Sequence, residues 1–167
     1  GLPEVRSSQK APMTMEALEA QLDELLSEAD KEQLRLLRHR AVYGTCPFIR
    51  DWYRFNRDLN NSLVIEICRK HGLDVNRHVL GEMPEDTDAE VKTVSKMDNL
   101  FEREKAIDAL RFAWLESRTS DTQFALQNVL AYWLELQMLN RWEALTTEEG
   151  EKVFRAIVAD MKKGVRL

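Results

Sequence analysis

The sequence is poor in the residues that break or cross-link a fold. Its 167 residues include only six glycines, four prolines and two cysteines, while hydrophobic residues make up 44% and charged residues 32%. This mixture is typical of a soluble, helix-rich domain. The cysteines, Cys46 and Cys68, are too few for a disulfide scaffold, and their spacing matches no zinc pattern. We expect both to be reduced thiols in a cytosolic protein.

Long apolar runs and basic patches are also missing. No apolar run approaches the ~20 residues that a membrane-spanning helix needs, and the first residues lack the charged-then-apolar pattern of a signal sequence. Basic residues are dispersed among acidic ones, and the net charge is −5. A nucleic-acid partner is therefore the least expected kind of partner.

Motifs for catalysis, metals and cofactors are absent as well. The chain contains no G-x-x-x-x-G-K-[ST], G-x-G-x-x-G, H-E-x-x-H or G-x-S-x-G pattern. Cys68 and His71 lie one helical turn apart, so a Cys–His pair is sterically conceivable. A small buried thiol is the commoner role of such a cysteine. We expect no enzyme activity, no metal site and no cofactor, with His71 and His78 facing solvent or capping a helix.

Helical periodicity is what the sequence does contain. Apolar residues recur every three or four positions over six segments, and no segment alternates like a strand. The predicted helices are 15–26, 28–43, 47–71, 100–117, 121–139 and a last helix after a capping box of Thr146 with Glu149. Predicted starts are Ser27, Pro47, Asp98 or Asn99, and Ser120 or Asp121, and predicted ends are Gly44 and Gly72.

These segments predict an all-α fold of five to six amphipathic helices, as one bundle or as two small lobes. The predicted organisation is a disordered arm at 1–13, a helical hairpin at 14–45, a long helix and turn at 46–81, an acidic loop at 82–97 and a three-helix unit at 98–167. The 121–139 helix is apolar around much of its girth, which predicts that it is central and the most buried.

Some polar and aromatic residues break these local rules. Asn56, Asn60 and Asn61 interrupt the 47–71 helix, where asparagine is a poor helix former. They either bond a neighbouring helix or loop backbone or contact another subunit. Arg103 lies in a mixed-charge stretch, and Arg141 precedes an aromatic residue with which a cation–aromatic contact is conceivable. Four tryptophans lie on helical faces, and one that proved exposed would be an interface anchor.

Several longer phrases resemble one protein family. Residues 48–81 have the order W-Y-x-F-N-x-x-x-N-N, then R-K-x-G-x-D and a closing V-x-G. They are followed in order by LFEREKAID (100–108), RFAWLE (111–116), VLAYWLELQMLNRW (129–142) and GEKVFRAIV (150–158). Together these phrases resemble a bacterial family of uncharacterised proteins associated with V-type ATP synthases. That family is similar to the central-stalk subunit called C or d.

The resemblance implies a mechanical role. In that subunit class, helical lobes form a spacer without catalysis of its own, which joins the rotor shaft to the membrane ring. It implies partners among the other V-type subunits, and a cytoplasmic location that is peripheral to the membrane through those partners only. The candidate contact residues are Asn56, Asn60, Asn61, Arg103 and Arg141. A stand-alone adaptor that binds a partner helix is the alternative, and a small enzyme using Cys68 and His71 is a further one.

Overall fold

The structure is a computed structural model that describes residues 1–7, 9–82, 88–119, 121, 125–146 and 148–165, without the side chains of 148–150, 153 and 165. Every regular element in these ranges is helical, and they contain no strand. The elements are α1 (Met15–Leu25), α2 (Glu28–Arg38), α3 (Pro47–His71), a 3-10 helix (Val75–Arg77), α4 (Ala89–Ser95), α5 (Leu100–Ser117), α6 (Leu126–Thr146) and α7 (Glu148–Val165). The predicted all-α class is confirmed, but the described part has seven α-helices instead of five to six.

The first two helices begin at hydroxyl caps. Thr14 Oγ1 accepts the backbone N–H of Ala17 (3.2 Å) at the start of α1. Ser27 Oγ accepts that of Asp30 (3.2 Å) at the start of α2, as the sequence predicts. Each cap satisfies one of the amide groups that the first turn of a helix leaves without an intrahelical partner.

The bounds of α3 agree with the prediction at both ends. Pro47 occupies the first position, where its missing N–H does no harm. Gly72 ends the helix with φ +65°, and its N–H donates to the carbonyl of Cys68. Because a side chain is strained at this φ, glycine is the residue that suits the position.

α2 ends earlier than predicted. Its last residue is Arg38, five positions before the predicted end at 43. Arg40 adopts φ +53°, so the chain leaves the helix before it reaches Gly44, which has φ +75°. The glycine was the wrong stop signal because a non-glycine residue takes the left-handed position first.

Two further differences lie later in the chain. The region 82–97, predicted as an acidic loop, contains α4, whose Val91 and Val94 are buried. α6 continues seven residues past its predicted end at 139. Thr146 lies in its last turn, where its hydroxyl donates to the carbonyl of Glu143 (3.0 Å). Ser120 and the side chain of Glu149, both predicted to take part in caps, lie outside the described residues.

The chain divides into two compact units. Unit 1 comprises Gly1–Lys31 and Asp108–Leu167, and unit 2 comprises Glu32–Ile107. In unit 1, α6 packs against both α1 and α7. Its residues 133–136 are all buried, and because successive side chains of a helix point about 100° apart, these four cover α6 on every side. The prediction of a central, most buried helix is confirmed for α6 among the described helices.

The first thirteen residues, predicted to be a disordered arm, contact α6 at two points. The hydroxyl of Tyr132 donates to the carbonyl of Pro3 (2.8 Å). Asn140 Nδ2 donates to the carbonyl of Met13 (3.1 Å). These bonds connect residues 129 and 127 positions apart in sequence.

In unit 2, α3 packs against α4 and the 3-10 helix. Its buried apolar residues include Ile49, Leu59, Leu63 and Ile65. None of the described helices combines the length and the apolarity that crossing a bilayer would require.

Candidate partner-binding surface

The carboxylate of Asp108 in α5 is 3% exposed and accepts hydrogen bonds from three side chains of unit 1. Arg111 Nη1 donates to its Oδ1 (2.7 Å). Trp142 Nε1 donates to its Oδ2 (2.8 Å), and Arg141 Nη2 donates to the same oxygen. A buried carboxylate is tolerated only when charge and hydrogen bonds replace its hydration, and this one has both. The cluster joins α5 to the last turns of α6.

Arg141 bonds the buried Asp108 while its own side chain stays accessible to solvent. Its side chain is half exposed, whereas that of Arg111 is mostly buried. Its guanidinium also lies over the ring of Trp142, with Cζ 5.7 Å from the centroid, which is the cation–aromatic contact considered from the sequence. Two guanidiniums share this one carboxylate. The structure therefore holds a cation at the surface in a fixed orientation, which suits an acidic group on a partner.

The three asparagines of α3 have different surroundings. Asn56 is half-buried, and its Nδ2 donates to the carbonyl of Trp52 (2.9 Å), one turn earlier in the same helix. Asn60 is exposed. Asn61 is 2% exposed and bonds the backbone of Leu80, donating to its carbonyl (2.7 Å) and accepting from its N–H (3.0 Å). Of the three, Asn60 offers the most accessible amide.

Arg103 lies in the first turn of α5, in unit 2, and is half-buried. Asn99 caps this turn, since its Oδ1 accepts the N–H of Phe101 (2.9 Å) and of Glu102 (3.2 Å). That cap is one of the two predicted from the sequence. That a partner contacts the candidate residues stays a prediction for all five of them: Asn56, Asn60, Asn61, Arg103 and Arg141.

A second buried carboxyl belongs to Glu135 in the middle of α6, and it is 8% exposed. Burial, and secondarily the nearby carboxylate of Glu116, raise the pKa of Glu135 to about 7. Desolvation penalises the charged form, so this acid holds its proton up to neutral pH. Burial also raises the pKa of Tyr132 on the same helix, and Glu135 adds to that effect.

The two residues considered for catalysis, Cys68 and His71, differ in their exposure. Cys68 is 3% exposed, and both it and Cys46 are free thiols. His71, one turn later, is exposed. In the described part of the chain, no group of three or more histidine, cysteine, aspartate or glutamate side chains could hold a metal ion.

Comparison with known proteins identifies the family of this chain. Residues 80–165 match the model of a family described as a protein of unknown function, DUF2764. The chain belongs to this family. The matched region contains the complete Asp108 cluster and Glu135, whereas the α3 asparagines precede it. No curated protein and no solved structure matches the chain.

Sequence reasoning missed two buried acids and one exposed aromatic residue. Asp108 and Glu135 stand among charged or apolar neighbours that give no sign of their burial. The best available signal for Asp108 was its position one turn after a mixed-charge stretch and one turn before Arg111. No tryptophan in the described part is fully exposed; instead Tyr43, at 88%, is the most exposed of the large hydrophobic residues that are described.

Proposed function

We propose that this chain is a non-catalytic structural subunit of a V-type ATP synthase or ATPase. In this role it is a helical spacer that couples the rotor shaft to the membrane ring. It binds no cofactor and no nucleic acid, it lies on the cytoplasmic side, and it reaches the membrane through partner subunits only. The support from the sequence is the resemblance of its phrases over 48–161 to the family associated with V-type ATP synthases.

The observation that carries the proposal is the Asp108 cluster. A spacer that transmits torque must resist sliding of one helix along another, because sliding would absorb the motion. Three donors from α5 and α6 converge on one buried carboxylate, and α6 in turn packs against α1 and α7. Packed helices with a directional polar link have a defined register, and this suits a load-transmitting body.

The same cluster supplies a candidate contact. The guanidinium of Arg141 is half exposed and its direction is fixed by Asp108 and Trp142. An arginine held in this way loses less conformational entropy on binding than a free one does. We propose that Arg141 meets a carboxylate of a neighbouring subunit.

A stand-alone adaptor is the second candidate, and α7 is what favours it. Ile157 and Met161 lie one turn apart on this helix, with 50% and 59% of their surface exposed. Residues at i and i+4 share one face, so the two side chains form an apolar strip. Such a strip suits a partner helix.

The test is binding of the purified chain to purified rotor-shaft subunits and, separately, to the detergent-solubilised membrane ring. We expect Arg141→Ala to weaken one of these complexes by about tenfold or more, as truncation of an interface arginine does. Asn60→Ala reports on the α3 surface without disturbing a buried group. Arg155→Ala, at an exposed position of α7, is the matched control and is expected to bind normally.

Each outcome assigns the chain to one candidate. Binding to shaft or ring that depends on Arg141 or Asn60 favours the spacer. No binding to either, by a chain whose circular dichroism is helical, rejects the spacer. A complex with another protein that is lost in Ile157→Ser with Met161→Ser, but kept in Arg141→Ala, favours the adaptor.

A further inference from the structure

The turn between α2 and α3 is fixed at its start. The N–H of Arg40 donates to the carbonyl of Leu37 (3.1 Å), and the N–H of Ala41 donates to that of Leu36 (2.9 Å). This pair of bonds, around a residue with positive φ, is the Schellman arrangement that ends many helices. The direction in which the chain leaves α2 is therefore set by the backbone.

The turn is also fixed at its end by one side chain of α2. Gln33 Nε2 donates to the carbonyl of Gly44 (3.0 Å), and Gln33 Oε1 accepts the N–H of Cys46 (2.7 Å). Thr45 between them is buried. We call residues 39–43, which follow the last residue of α2 and precede Gly44, the α2–α3 turn.

Two adjacent apolar side chains of the α2–α3 turn face solvent. Val42 is 72% exposed and Tyr43 is 88% exposed. Single exposed apolar residues are common on protein surfaces and need no explanation. A neighbouring valine and tyrosine on a backbone that is fixed at both ends are different, because the turn presents them without needing them for its own packing.

The charged residues next to this pair in sequence are all basic. Residues 38–44 contain two arginines and one histidine and no carboxylate, within a chain whose net charge is −5. His39 and Arg40 are exposed beside the apolar pair. A surface that combines tyrosine with arginine has the composition of a protein interface hot spot.

We propose that the α2–α3 turn is a docking element for an acidic partner protein. Tyr43 and Val42 enter an apolar pocket of that partner, and Arg40 faces carboxylates at the rim of the pocket. This inference goes beyond the spacer role, because it assigns a surface that the spacer argument does not use. It applies whichever protein supplies the pocket.

A protein pocket fits these observations better than a lipid surface does. Sequences that recognise anionic lipid carry clusters of about four to eight Lys or Arg, and this segment has two arginines. Two apolar side chains on a tight turn also bury little area in a bilayer. A fixed turn suits a preformed pocket because little backbone entropy is lost on docking.

The experiment places a photoreactive benzoyl-phenylalanine at position 43 of the full chain and irradiates its source cells. The same residue at position 54 of α3, where Arg54 is also exposed, is the matched control. The attachment site is then mapped by mass spectrometry. We expect attachment from position 43, but not from position 54, within an apolar pocket of another protein that has carboxylates at its rim.

The captured protein is then purified and its affinity is measured with point variants. Tyr43→Ala is expected to weaken binding by about 30-fold or more, as loss of a hot-spot tyrosine does. Tyr43→Phe retains the ring and should bind nearly normally, and Arg40→Glu should weaken binding most at low salt. Tyr43 is exposed, so all Tyr43 variants should keep the circular dichroism of the parent.

Four results would overturn the proposal. They are attachment from position 43 no stronger than from position 54, attachment to a phospholipid, attachment within the chain itself, and attachment to a basic or flat surface. An affinity that Tyr43→Ala leaves unchanged would also contradict it. None of these results bears on binding to the rotor shaft or the ring through Arg141, so the two proposals fail independently.

Discussion

The side chain of Asn61 satisfies both backbone groups of Leu80, which lies 19 residues further along the chain. This one amide takes the place of a strand partner for the segment that follows the 3-10 helix. We expect Asn61→Ala to lower the free energy of unfolding by about 1 to 3 kcal/mol, because two part-buried hydrogen bonds are lost together. Urea denaturation measures the change.

Asn60 provides the control for this prediction, since it is the adjacent residue of the same helix but is exposed. Asn60→Ala should change the stability by no more than about 0.5 kcal/mol. Alanine is the better helix former, so helix propensity favours both variants equally. A similar change in stability for the two variants would mean that the bonds to Leu80 add little to the free energy of unfolding.

The Asp108 cluster predicts a larger effect from a conservative change. Asp108→Asn keeps the shape but removes the charge that two guanidiniums share, and we expect it to cost about 2 to 4 kcal/mol. The half-exposed Arg141 can recover water, which keeps the loss below that of a fully buried pair. The free energy of unfolding in urea gives the value.

A surface aspartate, Asp58, is the control for the Asp108→Asn prediction. Asp58 accepts hydrogen bonds from Arg57 (3.0 and 3.1 Å), and both side chains are over 40% exposed. Asp58→Asn should cost no more than about 0.5 kcal/mol. If Asp108→Asn were as mild, the buried cluster would not hold α5 to α6.

Glu135 predicts a loss of stability as the pH rises. Its pKa is about 7 in the folded chain, above the ordinary glutamate value of 4.5, so the folded state binds more protons between these values. Its contribution is therefore fully present below about pH 4.5 and lost as the pH rises through about 7, a change of roughly 2 to 3 kcal/mol. Glu135→Gln should remove this part of the pH dependence.

The measurement compares the free energy of unfolding of the two proteins at pH 5 and pH 8. The difference between them isolates Glu135 from every other titrating group. Glu116→Gln should reduce the decline only in part, since the Glu116 carboxylate is the smaller cause of the shift. A Glu135→Gln protein with the same decline as the parent would show that Glu135 ionises normally when folded.

The backbone conformation of Arg40 leads us to expect a stabilising substitution at this position. Its φ of +53° is unfavourable for a residue with a Cβ atom. Arg40→Gly should raise the free energy of unfolding by about 0.5 to 1 kcal/mol, after the added freedom of the unfolded chain is subtracted. Arg40→Ala removes the guanidinium but keeps the strain. If glycine is no more stable than alanine in thermal unfolding, strain at this position is not the cause.

The sequence predicts most of the helices of this fold, but not all of their ends and not α4. The bounds of α3 could be predicted because proline at the start and glycine at the end act through the backbone alone. The end of α2 could not be predicted, because Arg40 adopts the left-handed conformation that is normally expected of a glycine such as Gly44. α4 is too short, at seven residues, for its buried valines to form a recognisable period.

The candidate site was harder to predict for a physical reason. The sequence pointed to Arg141 as an unusual residue, but the carboxylate that orients it lies 33 positions earlier. Charged residues are usually solvated, and the mixed-charge stretch that precedes Asp108 is equally typical of a surface acid. Tyr43 was missed because its exposure depends on where the two anchors of the turn lie.

The division of unit 1 between the two ends of the chain has a consequence for the order in which the protein forms. Residues 32–107 of unit 2 are contiguous, whereas Pro3 and Met13 find their partners on α6 only after more than 120 intervening residues. Closing longer loops costs more entropy, so we expect amides of α3 to gain protection in pulse-labelled refolding before those of α1 do. Simultaneous protection would contradict this order. During synthesis, the first thirteen residues then leave the ribosome well before the helix that receives them, and they are open to proteases and chaperones for that interval.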